Sequence, residues 1–153
     1  MICGRTEFVY SSPMHRKNFW ILWLQVVLGV LFVYALVLVF VGRIAGDLFT
    51  LLGFGPPQNI ALLEVQDYLR LPFMVLGAVL AGWSVLMLLI VRGPLKEGVS
   101  WATGVLFWPI SVWFLLDTGM SLVLGYPSHA LFNLPFAAAL GVPLFVLRIR
   151  PKR

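Results

Sequence analysis

Four long apolar runs, separated by short clusters of charged, glycine and proline residues, divide this chain. The first, residues 19–41, is interrupted only by Gln25 and Tyr34 and exceeds the roughly 20 helical residues needed to cross a hydrocarbon core, so it predicts a membrane span. Trp20 and Trp23 near its start, beside Arg16 and Lys17, suit an interfacial aromatic belt. The second run, 71–91, carries Pro72 in its first turn, where a missing N–H is tolerated. Its Gly77, Ala78, Ala81 and Gly82 offer a small-residue face for close helix packing, and Ser84 is expected to bond a carbonyl of its own helix. The third run, 99–124, holds Pro109 as a predicted kink, with Ser111 placed to resatisfy the freed backbone. The fourth, 130–149, holds Pro135 and Pro143, which predict two more bends. A short basic turn over 92–98 makes the second and third spans antiparallel neighbours, and 125–129 reads as a second tight turn. The pattern predicts an all-α integral membrane four-helix bundle: a tail over 1–18, then one transmembrane domain over 19–153.

The longest stretch without a span is 42–70. Within it Asp47 to Leu52 can form amphipathic turns lying at the membrane interface, and two glycines and two prolines at 53–57 then break any helix. Asn59 suits the N-cap of a helix that carries Glu64 and Asp67 into the second span. These carboxylates and Asp47 are read as solvated, because an oxygen-ligand metal site needs several converging donors. The first thirteen residues contain no apolar run of the kind a signal peptide needs, and translation from Met14 would place HRKN directly before the first span.

Composition agrees with this pattern. At 153 residues with 61% hydrophobic and 11% charged side chains, no soluble domain could bury the apolar surface. The net charge of +5 does not point to nucleic acid, because the basic residues stand at span ends and not along one face. Arg5, Arg16, Lys17, Arg92, Lys96, Arg148, Arg150, Lys152 and Arg153 fall on one side of the predicted topology, with only Arg43 and Arg70 on the other. The positive-inside rule then places both termini in the cytoplasm. Cys3 is the single cysteine, so neither an internal disulfide nor a cysteine metal cluster is expected.

Against this apolar background Asp117 stands out. A carboxylate deep in a span costs a few kcal/mol, so it is expected to face other helices or a wet cavity. Trp113, Ser121 and Gly125 follow it around one helical face, with Thr118 adjacent. Counting inward from Gly42 and from Gly125, Tyr34 and Asp117 each lie roughly 12 Å below the outer boundary, and Ser121 and Asn133 are roughly 6 Å shallower. Tyr34, Asp117, Thr118, Ser121 and Asn133 are therefore candidates for one polar cluster, with Arg70 able to reach down on its long stem to neutralise the carboxylate. The cluster reads either as an interhelical clamp or as the polar end of a pocket for the head of a lipid or other hydrophobic ligand.

Signatures of catalysis are absent: there is no GxSxG, no HExxH and no pair of carboxylates within the spans. His15 and His129 fall at opposite ends of the topology, so no haem or other cofactor is expected, and His129 reads as an interfacial turn residue. The expectation is a non-enzymatic protein with membrane lipids as partners. The alternative is an accessory subunit bound to other membrane subunits, and a transport or proton-linked role would require an oligomer.

Tyr68-Leu69-Arg70, Gly77-Ala78-Val79, Ala81-Gly82-Trp83, Trp113-Phe114, Asp117-Thr118, Ser121, Gly125, Ala130 and Phe132-Asn133 form a pattern over the last three spans. It resembles a family of uncharacterised small bacterial four-span membrane proteins, in which an Asn often stands at the place of His129. The resemblance implies a four-helix bundle in the bacterial inner membrane and carries no reaction with it.

Overall fold

The computed structural model describes residues 13–41 and 63–148, which form four helices. They are α1 (Pro13–Phe40), α2 (Leu63–Ile90, extended by a π-helical turn Val91–Leu95), α3 (Ala102–Val123) and α4 (Pro127–Arg148). Each contains a segment long and apolar enough to cross a membrane: Lys17–Phe40, Arg70–Leu95, Ala102–Val123 and Pro127–Arg148. The chain is thus a multi-pass, all-helical membrane protein of four-helix-bundle type. The amphipathic segment from Asp47, the Asn59 cap, Arg43, Cys3 and the cations after Arg148 lie outside the described residues, while His15 falls in the first turn of α1.

The links between helices are shorter than the sequence pattern predicts. The π turn shifts the hydrogen-bond register around Pro94, which has no N–H to give, so Arg92 to Leu95 remain helical. The stop comes at Gly98, whose φ is +84°: its N–H donates to the Leu95 carbonyl and that of Val99 to the Pro94 carbonyl. Gly125, at φ +80°, repeats the arrangement, with its own N–H on Leu122 and that of Tyr126 on Ser121. Both are Schellman stops, which need a left-handed residue that glycine supplies without Cβ strain. Pro127 then takes a first-turn position where its missing N–H costs nothing, so Ser128 and His129 belong to α4 and not to a turn.

Along α1 the buried positions are Ile21, Leu24, Leu28, Leu31, Ala35 and Leu38, a seam with alternating steps of three and four. This seam packs along α2, α3 packs along α4, and the two hairpins meet mainly through α1 and α4. α1 and α3 stand diagonally and do not approach each other closely. The core joining all four helices (Ile21, Leu24, Leu28, Met87, Val91, Leu106, Ile110, Leu140 and Leu144 among others) occupies the half of the bundle nearest the chain termini. Toward the other end each hairpin is held mainly by its own contacts, with Trp83 of α2 meeting Trp113 of α3 between the two.

Lipid tails are as apolar as leucine, so such a bundle depends on close packing and interhelical hydrogen bonds more than on hydrophobic transfer. Gly77 illustrates the first. A Cβ there would lie 2.7 Å from the Ala35 carbonyl oxygen and 2.8 Å from Leu38 Cβ, so α1 and α2 touch nearly backbone to backbone. Two of the other small residues expected to share this contact, Ala78 and Gly82, are exposed, and nothing lies within 4 Å of a Cβ built at Gly82, while Ala81 is half-buried. Trp23 illustrates the second. Its indole N–H donates to the carbonyl of Ala139 at 3.0 Å, linking the hairpins. That carbonyl would ordinarily receive the N–H of residue 143, which is proline.

Two local expectations are corrected. Ser84 does not bond a carbonyl: it is fully buried and its Oγ has no hydrogen-bond partner among the described residues. Ser111 donates to the Phe107 carbonyl at 2.9 Å, its own position four residues back, and not to the Val105 carbonyl that Pro109 leaves without a donor.

Candidate functional site

Asp117 lies on α3, where its carboxylate faces α4. The Asn133 Nδ2 donates to Asp117 Oδ2 at 2.9 Å and to Thr118 Oγ1 at 3.2 Å, so one amide spans two adjacent residues of the facing helix. Asn133 is only 2% exposed, which fixes this donor from behind. The Ser121 hydroxyl donates to the Asp117 backbone carbonyl at 2.6 Å, one turn back along α3, and does not touch the carboxylate. Ser121 is buried as well. Of the residues singled out from sequence, Asp117, Thr118, Ser121 and Asn133 are therefore brought together between α3 and α4.

The remaining two stand apart. Tyr34 is on α1, diagonal to α3, and among the described residues its hydroxyl makes no hydrogen bond to the cluster. Arg70 is exposed on α2, which touches α3 only lightly, and no ion pair joins it to Asp117. A different residue approaches the carboxylate: His129 Nε2 lies 3.4 Å from Asp117 Oδ2. Because α4 starts at Pro127, His129 is helical and falls four residues before Asn133, on the same face. That spacing is visible in the sequence, and reading 125–129 as a turn hid it.

The carboxylate is asymmetric. Oδ2 accepts from Asn133 and has His129 Nε2 at 3.4 Å, whereas Oδ1 accepts no hydrogen bond among the described residues, and the Asp117 side chain is 36% exposed. This carboxyl group sits about 9 Å from the end of α3. One turn inward on the same face, Trp113 meets Trp83 of α2 with ring centroids 6.5 Å apart, and on α4 Phe132 and Phe136 stack edge to face at 5.2 Å. Chemically the site is a hydrogen-bond acceptor with aromatic surface beneath it. No group of three or more His, Cys, Asp or Glu side chains able to hold a metal ion occurs among the described residues.

No protein-family model, curated protein or solved structure matches the chain.

Proposed function

We propose that this is a non-enzymatic protein of the bacterial inner membrane that holds the polar head of a lipid or other hydrophobic molecule at Asp117. The observation that carries the reading is a partly exposed carboxylate whose Oδ2 is held by Asn133 with His129 beside it, while Oδ1 accepts no hydrogen bond among the described residues. A clamp between two helices has no use for an acceptor left facing outward, and a carboxylate at this depth is costly unless a donor completes it. A ligand bearing a hydroxyl or an ammonium group would complete it, while Trp113 and the phenylalanines of α4 offer contact to its apolar body. In this reading Asn133 and Ser121 position the carboxylate from buried sites, and Thr118 and His129 border the opening. The excess of Lys and Arg at the end that carries both termini supports their placement in the cytoplasm, with Asp117 nearer the outer face. The likeness of the last three spans to small bacterial four-span proteins supports the same membrane.

Native mass spectrometry with lipid analysis of gently solubilised protein tests the proposal. The expected result is a reproducible bound molecule that Asp117→Asn releases. Protein that is consistently empty, with Asp117→Asn indistinguishable from it, overturns the reading.

A second reading, an accessory subunit of a larger membrane complex, is favoured by one feature. Ala78 and Gly82 form a small-residue step on α2 that faces away from this chain's own helices, as a surface for another span would. Native gel electrophoresis of solubilised membranes separates the two readings, because an accessory subunit migrates with its partner.

A further inference from the structure

At the end of the bundle opposite Asp117, four cations from three elements stand at one level: Lys17 where the α1 span begins, Arg92 and Lys96 where α2 ends, and Arg148 at the last residue of α4. The level follows from the contacts. Lys17 Nζ donates to the Lys96 carbonyl at 2.9 Å, and the Arg148 guanidinium lies 5.9 Å over the ring of Phe107, which packs against the core at this end. None of the four is paired with a carboxylate among the described residues, although Glu97 is adjacent in the chain. Arg92, Lys96 and Arg148 are exposed. Trp101 follows in the same link and is 52% exposed.

From this arrangement we infer a second binding site, distinct from Asp117, that takes the phosphodiester headgroups of anionic phospholipids. Cations held at the limit of the spans lie at the depth of lipid phosphates, and among the described residues no carboxylate is paired with them. Lys17 is already engaged by a carbonyl, which holds its ammonium group close to the end of α2, while the three exposed side chains remain available to phosphate oxygens. Trp101 places an amphipathic ring at the headgroup level beside them. A purely topological role for these residues requires only that they stay on one side of the membrane. Arg92 and Lys96 stand one turn apart at the end of α2 with Lys17 of α1 held against them, which gives a single lipid several charges to meet, and Arg148 adds a further cation at this end of the bundle from α4. At about fivefold per basic residue near an anionic headgroup, three cations favour a charged over a zwitterionic lipid by about a hundredfold before competition from bulk lipid and salt.

The test uses the full chain reconstituted in vesicles of equimolar phosphatidylglycerol and phosphatidylcholine with matched acyl chains. The protein is then extracted in a mild non-ionic detergent and the lipids retained per chain are counted by mass spectrometry. The expected result is enrichment of phosphatidylglycerol that falls as salt rises and is lost in the triple variant Arg92→Gln, Lys96→Gln, Arg148→Gln. Asp117→Asn is expected to leave the enrichment unchanged, which separates this site from the one proposed above. Equal retention of the two lipids by the wild-type chain overturns the inference, as does enrichment indifferent to salt. Loss of enrichment on adding millimolar inorganic phosphate at constant ionic strength would instead assign the rim to free anions and also overturn it. The salt and phosphate arms use only the unaltered chain, so they decide the matter even if the triple variant fails to fold.

Discussion

Replacing Trp23 by Phe tests whether one hydrogen bond fastens the two hairpins. The substitution keeps an aromatic ring at the same place and removes the N–H that reaches Ala139. Because residue 143 is proline, the Ala139 carbonyl has no helical donor to fall back on. Trp23 lies six residues into the Lys17–Phe40 span, about 9 Å from its start, where water is scarce as a substitute donor. Interhelical hydrogen bonds in membranes average about 0.6 kcal/mol and reach about 1.7. A carbonyl left without any donor belongs near the top of that range, so the expected loss is about 1.5 kcal/mol. The control is Pro143→Ala, which restores an N–H to the same carbonyl. In that background Trp23→Phe should cost less than half as much, giving a coupling of about 1 kcal/mol between residues on different helices. Unfolding by titration from a mild detergent into dodecyl sulfate, followed by near-ultraviolet circular dichroism, supplies the four stabilities. An equal cost of Trp23→Phe in both backgrounds would refute the argument, since it would mean that ring packing and not the N–H accounts for the effect.

Two further substitutions probe the α1 and α2 contact by the same measurement. Gly77→Ala should destabilise by about 1 to 3 kcal/mol, because its Cβ would meet a backbone carbonyl that cannot step aside; Gly82→Ala, five residues away in open space, should be neutral or slightly stabilising. Equal effects at the two glycines would show that the close approach at Gly77 is not what holds the hairpin. Ser84→Ala removes a buried hydroxyl that has no partner, so it should leave stability unchanged or raise it by up to about 1 kcal/mol. A loss of more than 1 kcal/mol would mean that the hydroxyl is satisfied after all.

The number of helices and their approximate limits were legible because membrane-length apolar runs and the breaks between them are large signals. The facing of each helix was not. In α1 the inward seam contains Leu24, Leu28 and Leu31, while Val26, Val30 and Val33 are exposed. Both faces are apolar, so contrast between polar and apolar positions cannot separate core from lipid side. The small residues of α2 show the same ambiguity: composition marks Gly77 and Gly82 equally, and only the position of α1 distinguishes them. At the candidate site the neighbours of Asp117 on α3 followed from helical geometry, and Asn133 followed from matching depth. Depth alone also admitted Tyr34, since it carries no information on which helices are adjacent and which are diagonal. The place of His129 is hidden for a different reason: a tight turn expected over 125–129 leaves it outside the helix, whereas Pro127 begins one.

The division of the bundle into two unlike halves bears on how the site works. Near the termini, leucines from all four helices interlock, and the Trp23 bond adds a directional tie between hairpins. Toward Asp117 the ties change character. Gly77 joins α1 to α2, and the amide of Asn133 joins α4 to α3, but neither reaches the other hairpin. The donor that holds the carboxylate, Asn133, comes from α4, as does His129 beside it, so the polar contacts of Asp117 lie within one hairpin. A molecule bound at Oδ1 could therefore contact α1 or α2 without their having to be in place beforehand. Separating the rigid half from the half that carries the polar group is what allows a small bundle to keep a costly carboxylate ordered while leaving one of its oxygens free.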